Sequence, residues 1–474
     1  MTFPAPTSKH VSASLLLPTQ LVFNVGFYAV VPFLAFVMSE DLGLSATAVG
    51  IVLGARTFSQ QGMFLLGGVI ADRWGPRRSI LMGCIVRATG YLGLAFSDSF
   101  WPFLLSAVLT GIGGAFFSPA VEGLIGTLDR ARTTAVTPGT FKETGAGNTN
   151  DPAAVHGTTG VPEAESSNAQ PARQRNLFAW LVLFGEIGAV TGPLLGIALQ
   201  PFGFALVAVT SAALFLVVGI TLRVLLPEYI AAARIDSKPE AEAELTRSHA
   251  RQPFACLLDH RFVFFAALFS VNLLAYNQLY FSLPLELQAH GAGAGSLAAL
   301  FTIASVLTIA LQLPISALAT RLGPGTALRA GFTCVAASFL AVALLGSTGM
   351  NLAPGLPVMT GPIVFVVLLT VGHMLVGPAG MQQVHRFAGQ RSLGAYYGLL
   401  ASCGGIAVLV GNSLTGVLRD TLGGAAGWAL LILLATFSAA LLPRFLPTAP
   451  ARPAPPARSS SRVLPPVLDQ KVQP

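Results

Sequence analysis

Residues 67–79 read GGVIADRWGPRRS, a short charged stretch that follows about twenty predominantly apolar residues. It places one Asp and three Arg beside glycines, although charged residues make up only 10% of the 474-residue chain, against about 25% in soluble domains. Apolar residues make up 53%. This composition indicates a membrane protein, and the quoted stretch then lies where an apolar helix reaches the membrane surface.

Twelve stretches are long and apolar enough to be membrane-spanning helices, which need about 20 residues each. The chain has 27 Lys and Arg residues, and all but Arg56, Arg87 and Arg419 fall in the N-terminal segment, in alternate loops or within four residues of a span end that borders them, or in the C-terminal segment. Arg56 and Arg87 fall inside predicted spans, and Arg419 falls in a predicted outer loop. The positive-inside rule therefore predicts that both termini are cytoplasmic. The predicted spans are 13–37, 46–70, 79–97, 102–126, 176–199, 203–226, 262–287, 295–319, 326–347, 360–384, 394–418 and 424–446.

The quoted stretch has a counterpart in the second half of the chain. ADRWGPRRSILMG at 71–83 aligns with ATRLGPGTALRAG at 319–331, and GEIGAVTG at 185–192 aligns with GGIAVLVG at 404–411. Two six-helix halves in parallel repeat follow from these pairs. The polar loop within the first half, the loop between the halves and the tail after the second half have the composition of disordered linkers. A regulatory role for them is the alternative. We predict an N-terminal six-helix bundle at 1–226 with a cytoplasmic loop insertion at 129–174, a central cytoplasmic linker at 227–261, a C-terminal six-helix bundle at 262–447 and a Pro-rich cytoplasmic tail at 448–474.

Two six-helix halves with a basic turn between helices two and three resemble the major facilitator superfamily of secondary transporters, over nearly the whole chain. The family's motif at this turn is a Gly, two apolar residues, a small residue, Asp, a basic residue, an aromatic, Gly and further basic residues. Here it runs from Gly68 to Arg78. The resemblance implies an all-α membrane protein with twelve transmembrane helices in two pseudo-repeats. Pro76 departs from the motif at a position that is usually basic, so Arg77 is expected to replace that charge.

The resemblance implies that this motif is a conformational latch at the cytoplasmic face, which favours the outward-open state. An acid at a helix end can interact with the positive end of a neighbouring helix, and arginines hold the loop inside. A simple topology anchor is the alternative, and it accounts for Arg73 and Arg78 better than for Asp72. The predicted latch residues are Gly68, Asp72, Arg73, Gly75, Arg77, Arg78 and, on helix four, Glu122.

Helix five carries a pattern that resembles the signature of proton-coupled exporters in this superfamily, Gly-x-x-x-Gly-Pro-x-x-Gly. Its residues here are Gly188, Gly192, Pro193 and Gly196. Glycines four residues apart form a small-residue stripe on which another helix can pack closely. Packing alone is the alternative interpretation.

Two titratable groups inside predicted spans are candidates for proton coupling, because ionisable groups in a membrane are costly and mark pathways or pairs. Glu186 lies about nine residues into helix five, about 14 Å deep at 1.5 Å per residue. The helical step of about 100° places it off the glycine stripe. A static salt bridge is the alternative. His373 on helix ten can titrate near neutral pH, or it can be hydrogen-bonded in the core.

Polar side chains on helices one, two and seven are expected to line a central substrate cavity. On helix two, Arg56 shares a face with Ser59 and Gln60, in a run that resembles a bacterial multidrug-resistance subgroup. Arg56 is expected to bind an anionic or polar substrate, to pair with Glu186 or to extend toward the outer surface. For Arg87 we expect a structural role. The predicted cavity residues are Asn24, Tyr28, Arg56, Gln60, Asn272, Tyr276, Asn277 and Tyr280.

The resemblance and these residues together predict a proton-coupled exporter of small amphipathic compounds in the cell (inner or plasma) membrane, and the family resemblance implies a monomer. The expected partners are a small-molecule substrate, protons and the lipid bilayer, with no nucleic acid, no cofactor and no metal. Two departures from the pattern of such exporters leave facilitated diffusion open. Ala107 stands where many of them carry an Arg, and helix one lacks the acid that some drug/proton antiporters use. An importer or symporter is the main alternative. A membrane enzyme or sensor would need a nucleophile-base pair, a metal cluster or a soluble domain, and the sequence has no GxSxG, HExxH or phosphate loop.

Overall fold

The computed structural model describes residues 13–135, 176–225, 255–345, 358–389, 391 and 393–447. These residues form helices over every predicted span, and no strand occurs among them. Most of the predicted insertion and linker, and the predicted tail, lie outside the described residues. The helices are α1 (Ala13–Val30, continued by short turns to Asp41), α2 (Ala46–Gly62 and Phe64–Trp74), α3 (Pro76–Ala95), α4 (Phe100–Ala135), α5 (Asn176–Leu199), α6 (Phe204–Leu225), α7 (His260–Phe269, Val271–Asn277 and Ser282–Ala289), α8 (Ala294–Leu322), α9 (Pro324–Leu345), α10 (Thr360–Ala388), α11 (Leu393–Leu422) and α12 (Gly424–Leu441).

Ten helical stretches among the described residues are long and apolar enough to cross a membrane. The two remaining predicted spans fall on α2, which is interrupted at Met63, and on α3, which begins with the charged motif. Helix positions agree with the predictions within a few residues, except at the C-terminal end of α4. The count of twelve membrane-crossing helices and the cytoplasmic placement of the termini stay predictions.

The helices pack within two halves, which meet along two helix pairs. In the first half α1 packs against α5 and α6, and α3 packs against α4 and α6. In the second half α9 packs against α10 and α12, while α7 packs against α11. Between the halves, α2 lies along α11 and α5 lies along α8. Side chains on α2, α5, α8 and α11 therefore form much of the interface.

A single glycine with positive φ ends or begins a helix at four equivalent turns. These glycines are Gly75 (φ 85°), Gly203 (φ 94°), Gly323 (φ 77°) and Gly423 (φ 90°). They connect α2 to α3, α5 to α6, α8 to α9 and α11 to α12. Other residues rarely adopt this backbone conformation. The aligned glycines at 75 and 323 thus form the same tight turn in both halves.

Helices α1 and α7 are irregular in corresponding places. After Val30, α1 passes through a 3-10 turn that contains Pro32 and then a π turn at Val37–Asp41. In α7 the chain leaves the helix at 278–281, just before Pro284. Proline has no N–H to bond the carbonyl four residues earlier, so a helix is readily interrupted on its N-terminal side. Both interruptions lie beside the interface between the halves.

Two sequence-based boundaries need correction. Arg419 lies in the last turn of α11 and not in an outer loop. Helix α4 continues to Ala135, into the first residues of the predicted insertion. In both places polar residues extend a helix beyond its apolar stretch, which hydropathy alone does not detect.

Candidate substrate and coupling site

Glu186 lies at the interface between the halves. It is half-buried on α5, and its carboxyl group interacts with the side chain of Ser305 on α8. Tyr28 of α1 and Tyr276 of α7 are within electrostatic range of it. Among the described residues Glu186 forms no salt bridge, so the static-pair interpretation finds no partner in this part of the chain. The carboxyl group therefore faces polar and aromatic groups from both halves.

Aromatic side chains cluster next to Tyr28, one of the residues within electrostatic range of Glu186. Phe301 of α8 has its ring centroid 6.4 Å from that of Tyr28 and 5.2 Å from that of Tyr280. The side chains of Tyr28 and Tyr280 interact with each other across the halves. The structure thus brings together the predicted cavity tyrosines of α1 and α7, and it adds Phe301 and Ser305, which the sequence analysis did not single out.

His373 packs against the same group of residues from α10. Its ring stacks on Tyr276, with the centroids 4.3 Å apart and the planes 29° apart. Its Nδ1 lies 3.2 Å from Oδ1 of Asn272, an arrangement in which the ring nitrogen donates. The imidazole is therefore held by a hydrogen bond and a stacked ring, and its role in proton coupling stays a prediction.

The glycine motif of α5 packs against α1 within the first half. A Cβ atom on Gly188 would lie 2.5 Å from Cβ of Asn24, and one on Gly192 would lie 2.6 Å from Cβ of Tyr28. Gly196 approaches Ala29 in the same way. Pro193 lies inside α5. The glycines therefore hold Asn24 and Tyr28 close to the turn of α5 that carries Glu186.

Arg56 is buried on α2, with only 5% of its surface exposed, so it does not extend to the outer surface. Its guanidinium carbon lies 4.9 Å from the ring centroid of Phe27, and Tyr28 and Tyr280 are within electrostatic range. It forms no ion pair with Glu186 among the described residues. Gln60 follows one turn later and is half-buried. Arg56 thus lies near the tyrosines of the central site and has no acidic partner among the described residues.

A chain of buried amides joins α2, α7 and α11. Asn277 Nδ2 donates to Thr57 Oγ1 at 3.3 Å, and Asn412 Nδ2 donates to Asn277 Oδ1 at 3.2 Å. Gln278 Nε2 donates to Asn412 Oδ1 at 2.9 Å, and Ser282 donates to Gln278 at 2.6 Å. Asn277, predicted to line the cavity, therefore lies in the interface between helices. The sequence analysis missed Asn412, although an amide inside an apolar span is a detectable signal.

At the predicted outer end, α11 contacts the beginning of α2. The Asp420 carboxylate accepts hydrogen bonds from the backbone N–H groups of Ala46 and Thr47 at 3.1 and 2.8 Å, and from the Thr47 hydroxyl at 2.6 Å. Ser39 of α1 donates to Gln288 of α7 at 2.8 Å nearby. These contacts hold the two halves together at this end.

Arg419, next to Asp420, contacts its own half. Its Nη1 lies 3.4 Å from Oε2 of the fully buried Glu286, and its Nη2 donates to the Leu285 carbonyl at 2.9 Å. Trp428 Nε1 donates to the same carboxylate oxygen at 3.3 Å. The pair fixes the end of α11 on α7, and it thereby positions Asp420 toward α2.

The predicted latch residues lie around the turn between α2 and α3. Arg77 donates a hydrogen bond to the carbonyl of Arg223 in the last turn of α6, within the same half. Arg73 is exposed, and Arg78 lines a surface groove of about 370 Å³ with Trp74. Gly68 lies in α2 with no atom near its missing Cβ, and Gly75 forms the turn. The side chains of Asp72 and Glu122 lie outside the described ones, so the latch stays a prediction.

Metal ligands do not converge in the described ranges, because no group of three or more His, Cys, Asp or Glu residues there could hold an ion. None of the four cysteines forms a disulfide.

Comparisons with known proteins point to one family. A sequence model of the Major Facilitator Superfamily matches residues 16–132 and 166–412. The chain is 30% identical over 410 residues to the uncharacterized MFS-type transporter Rv0849 of Mycobacterium tuberculosis, covering 86% of this chain and 85% of that protein. It is 24% identical over 395 residues to the multidrug resistance protein MdtH of Citrobacter koseri, covering 82% of each. The crystal structure of the nucleoside transporter NupG shares the fold with a TM-score of 0.65 at 14% identity, covering 91% of this chain and 98% of that one.

Proposed function

Because the chain belongs to the major facilitator superfamily, we propose that it is a secondary active transporter that exports small amphipathic compounds in exchange for protons. The two halves rock around a central site that opens to one side of the membrane at a time. The protein is a multi-pass protein of the cell (plasma or inner) membrane, it works as a monomer, and the proton is its coupling ion.

The observation that carries this proposal is the position of Glu186 between the halves. Its carboxyl group interacts with Ser305 of the second half and lies near Tyr28 and Tyr276. A charged carboxylate is costly within a membrane. Proton uptake and release at Glu186 would therefore change its interaction with these groups, and a substrate that enters among the tyrosines would compete with the proton.

Alternating access is supported by the contacts along α2 and α11. Asp420 joins the ends of these helices at the predicted outer side. The predicted latch lies at the opposite end of the same α2 helix. With one contact at each end of the α2–α11 pair, the protein could close its outer side and its cytoplasmic side in turn.

Export of amphipathic compounds is supported by the aromatic lining and by the relatives. Tyr28, Tyr280 and Phe301 provide ring faces together with hydroxyl groups, a combination suited to partly apolar molecules. The relative from Citrobacter koseri is named a multidrug resistance protein. We therefore expect several related compounds to be transported.

The test is substrate-driven proton release from inverted membrane vesicles with an acidic lumen. A fluorescent pH reporter would be followed on addition of ethidium, tetraphenylphosphonium or 1-naphthoate. Wild type is expected to release protons with at least one compound. Glu186→Gln should bind the same compound without proton release. Glu40→Gln, the same change at an exposed position, should behave as wild type.

Two results would contradict the proposal. Equal proton release by wild type and Glu186→Gln would reject Glu186 as the coupling group. Accumulation in right-side-out vesicles under an inward proton gradient, with no response in inverted vesicles, would identify an importer.

A further inference from the structure

Two arginine side chains are buried inside the first half of the protein. Arg56 on α2 is 5% exposed and Arg87 on α3 is 1% exposed. A guanidinium group stays protonated in proteins, and a buried charge without a partner costs several kcal/mol. The two groups therefore need a counter-charge.

The described contacts of these groups are mainly aromatic. Both guanidinium groups lie over the ring of Phe27, with Cζ 4.9 Å from its centroid for Arg56 and 5.3 Å for Arg87. Arg87 also lies over Phe23 at 4.6 Å, and its Nε donates to the Thr110 carbonyl at 3.2 Å. Ring faces stabilise a cation but accept no strong hydrogen bonds. The rings offset part of the cost of burying the two guanidinium groups, but the N–H groups of these arginines still need hydrogen-bond acceptors.

Four nitrogen atoms of the two groups have no hydrogen-bond acceptor among the described residues. They are Nε and Nη2 of Arg56 and both Nη atoms of Arg87. No carboxylate in this part of the chain forms an ion pair with either arginine. Glu186 interacts with Ser305 instead. The counter-charge is therefore expected to come from outside the described chain.

Glycines on α4 make room for this arrangement. A Cβ atom on Gly114 would lie 2.9 Å from Nη2 of Arg87 and 3.1 Å from Cδ of Gln60. One on Gly113 would lie 2.7 Å from the Arg87 backbone nitrogen. The Arg87 guanidinium and the Gln60 carboxamide thus lie together in space that only glycine leaves open.

Arg56 connects this pair to the central site. Tyr28 and Tyr280, which pack around Phe301 beside Glu186, are within electrostatic range of Arg56. A molecule among these rings could reach the Arg56 nitrogen atoms, with Arg87 adding a second positive charge behind them.

We propose that Arg56 binds the acidic group of the substrate, supported by Arg87 and Gln60, so that the preferred substrates are amphipathic anions. A carboxylate or a phosphate ester fits a guanidinium fork, and the apolar body of the molecule lies against the rings of Tyr28, Tyr280 and Phe301. Two like charges with no acidic partner among the described residues disfavour a lipophilic cation at this position. The inference rests on the proposed function only in taking the central site as the substrate site.

The test compares four probes with one ring system: 1-naphthoate, 1-naphthyl phosphate, 1-naphthamide and 1-naphthylmethylammonium. Binding would be measured on the purified full-length protein in lipid nanodiscs, by the fluorescence of the ring. A hydrogen bond to a charged group is worth about 1.5–3 kcal/mol, so an anion should bind about ten- to a hundredfold more tightly than the amide. The carboxylate and phosphate arms show which acid is preferred.

Variants identify the groups responsible. Arg56→Gln should reduce the preference for anion over amide to about threefold or less, with amide affinity retained. Arg87→Gln should weaken anion binding several-fold through the lost charge. Arg56→Lys, which keeps the charge, should retain an intermediate preference. Arg329→Gln removes an exposed arginine of α9 and should leave all four affinities unchanged.

Equal affinities of wild type for naphthoate, naphthyl phosphate and naphthamide would overturn the inference, as would an undiminished anion preference in folded Arg56→Gln. If that variant does not fold, the wild-type comparison and Arg56→Lys still decide the question, because a full anion preference in Arg56→Lys would reject directional binding by the guanidinium. Transport separates the two proposals. Anion-selective binding without movement of any probe in vesicles would contradict export alone, and transport without anion preference would contradict this inference alone.

Discussion

Replacing Asp420 by Asn should weaken the closure of the predicted outer end. The carboxylate of Asp420 accepts hydrogen bonds from three donors in the first turn of α2, which belongs to the other half. Ser45, the residue before α2, caps the same turn by accepting a hydrogen bond from Ala48 N–H. Asp420 therefore supplies, from across the interface, acceptors that a helix N-terminus otherwise lacks.

The magnitude follows from the kind of contact. Losing a capping acceptor at a helix N-terminus costs about 1 kcal/mol, and the interaction of a negative charge with the helix dipole adds about 0.3–1 kcal/mol. The contact is exposed, which keeps the total at about 1–2 kcal/mol. A change of this size shifts a two-state equilibrium about 5–30-fold, here toward states in which the outer ends separate.

Distances between spin labels measure this shift. Labels at Asp98→Cys and Ala289→Cys, two exposed positions at the predicted outer ends of different halves, would report separation in nanodiscs. The four native cysteines would first be replaced. Asp420→Asn should enlarge the long-distance population several-fold.

Asp41→Asn is the matched control, because Asp41 is exposed at the same end and has no hydrogen-bond partner among the described residues. An unchanged distance distribution in Asp420→Asn would refute the reasoning. An equal shift in both variants would attribute the effect to net charge and not to the contact with α2.

Three further substitutions test the packing around the site, each by thermal unfolding of the detergent-solubilised protein. Gly192→Ala should lower the melting temperature, because the new Cβ would lie 2.6 Å from Tyr28 and overpacking costs about 1–3 kcal/mol. Gly295→Ala, where no atom lies within 4 Å, should not. Asn412→Leu should lower the free energy of unfolding by about 1 kcal/mol, because it removes the hydrogen bonds between buried side-chain amides. Wild-type stability of this variant would contradict the proposed network. Glu286→Gln should cost about 3 kcal/mol, because Arg419 loses its buried partner, and a loss no larger than that of Glu40→Gln would contradict this.

The helices could be predicted from the sequence because apolar runs and charge placement are local properties. The predicted span 176–199 coincides with α5 at Asn176–Leu199. The repeat also identified Gly75 and Gly323, whose positive φ values form equivalent turns. Gly203 and Gly423 form the same turn, but the sequences around them differ too much for the repeat to reveal it.

The partners of buried polar groups could not be predicted, because they depend on the rotation of helices that are far apart in the chain. Asn277 and Asn412 are separated by 135 residues, and only the packed helices bring them together. Glu186 was identified because an acid inside an apolar span is conspicuous. Glu286 meets the same criterion, because it is an acid inside the predicted span 262–287, but the sequence analysis did not select it. In the structure it is fully buried.

The four glycine turns restrict where the protein can bend. Trp74 and Pro76 are separated by one residue, and so are Leu322 and Pro324. Helices joined by so little chain cannot separate at that end, so α2 stays next to α3 and α8 next to α9 there, and Gly423 joins α11 to α12 in the same way. The hinges of the transport cycle are therefore expected in the irregular stretches of α1 and α7, where the backbone has already left the regular helix.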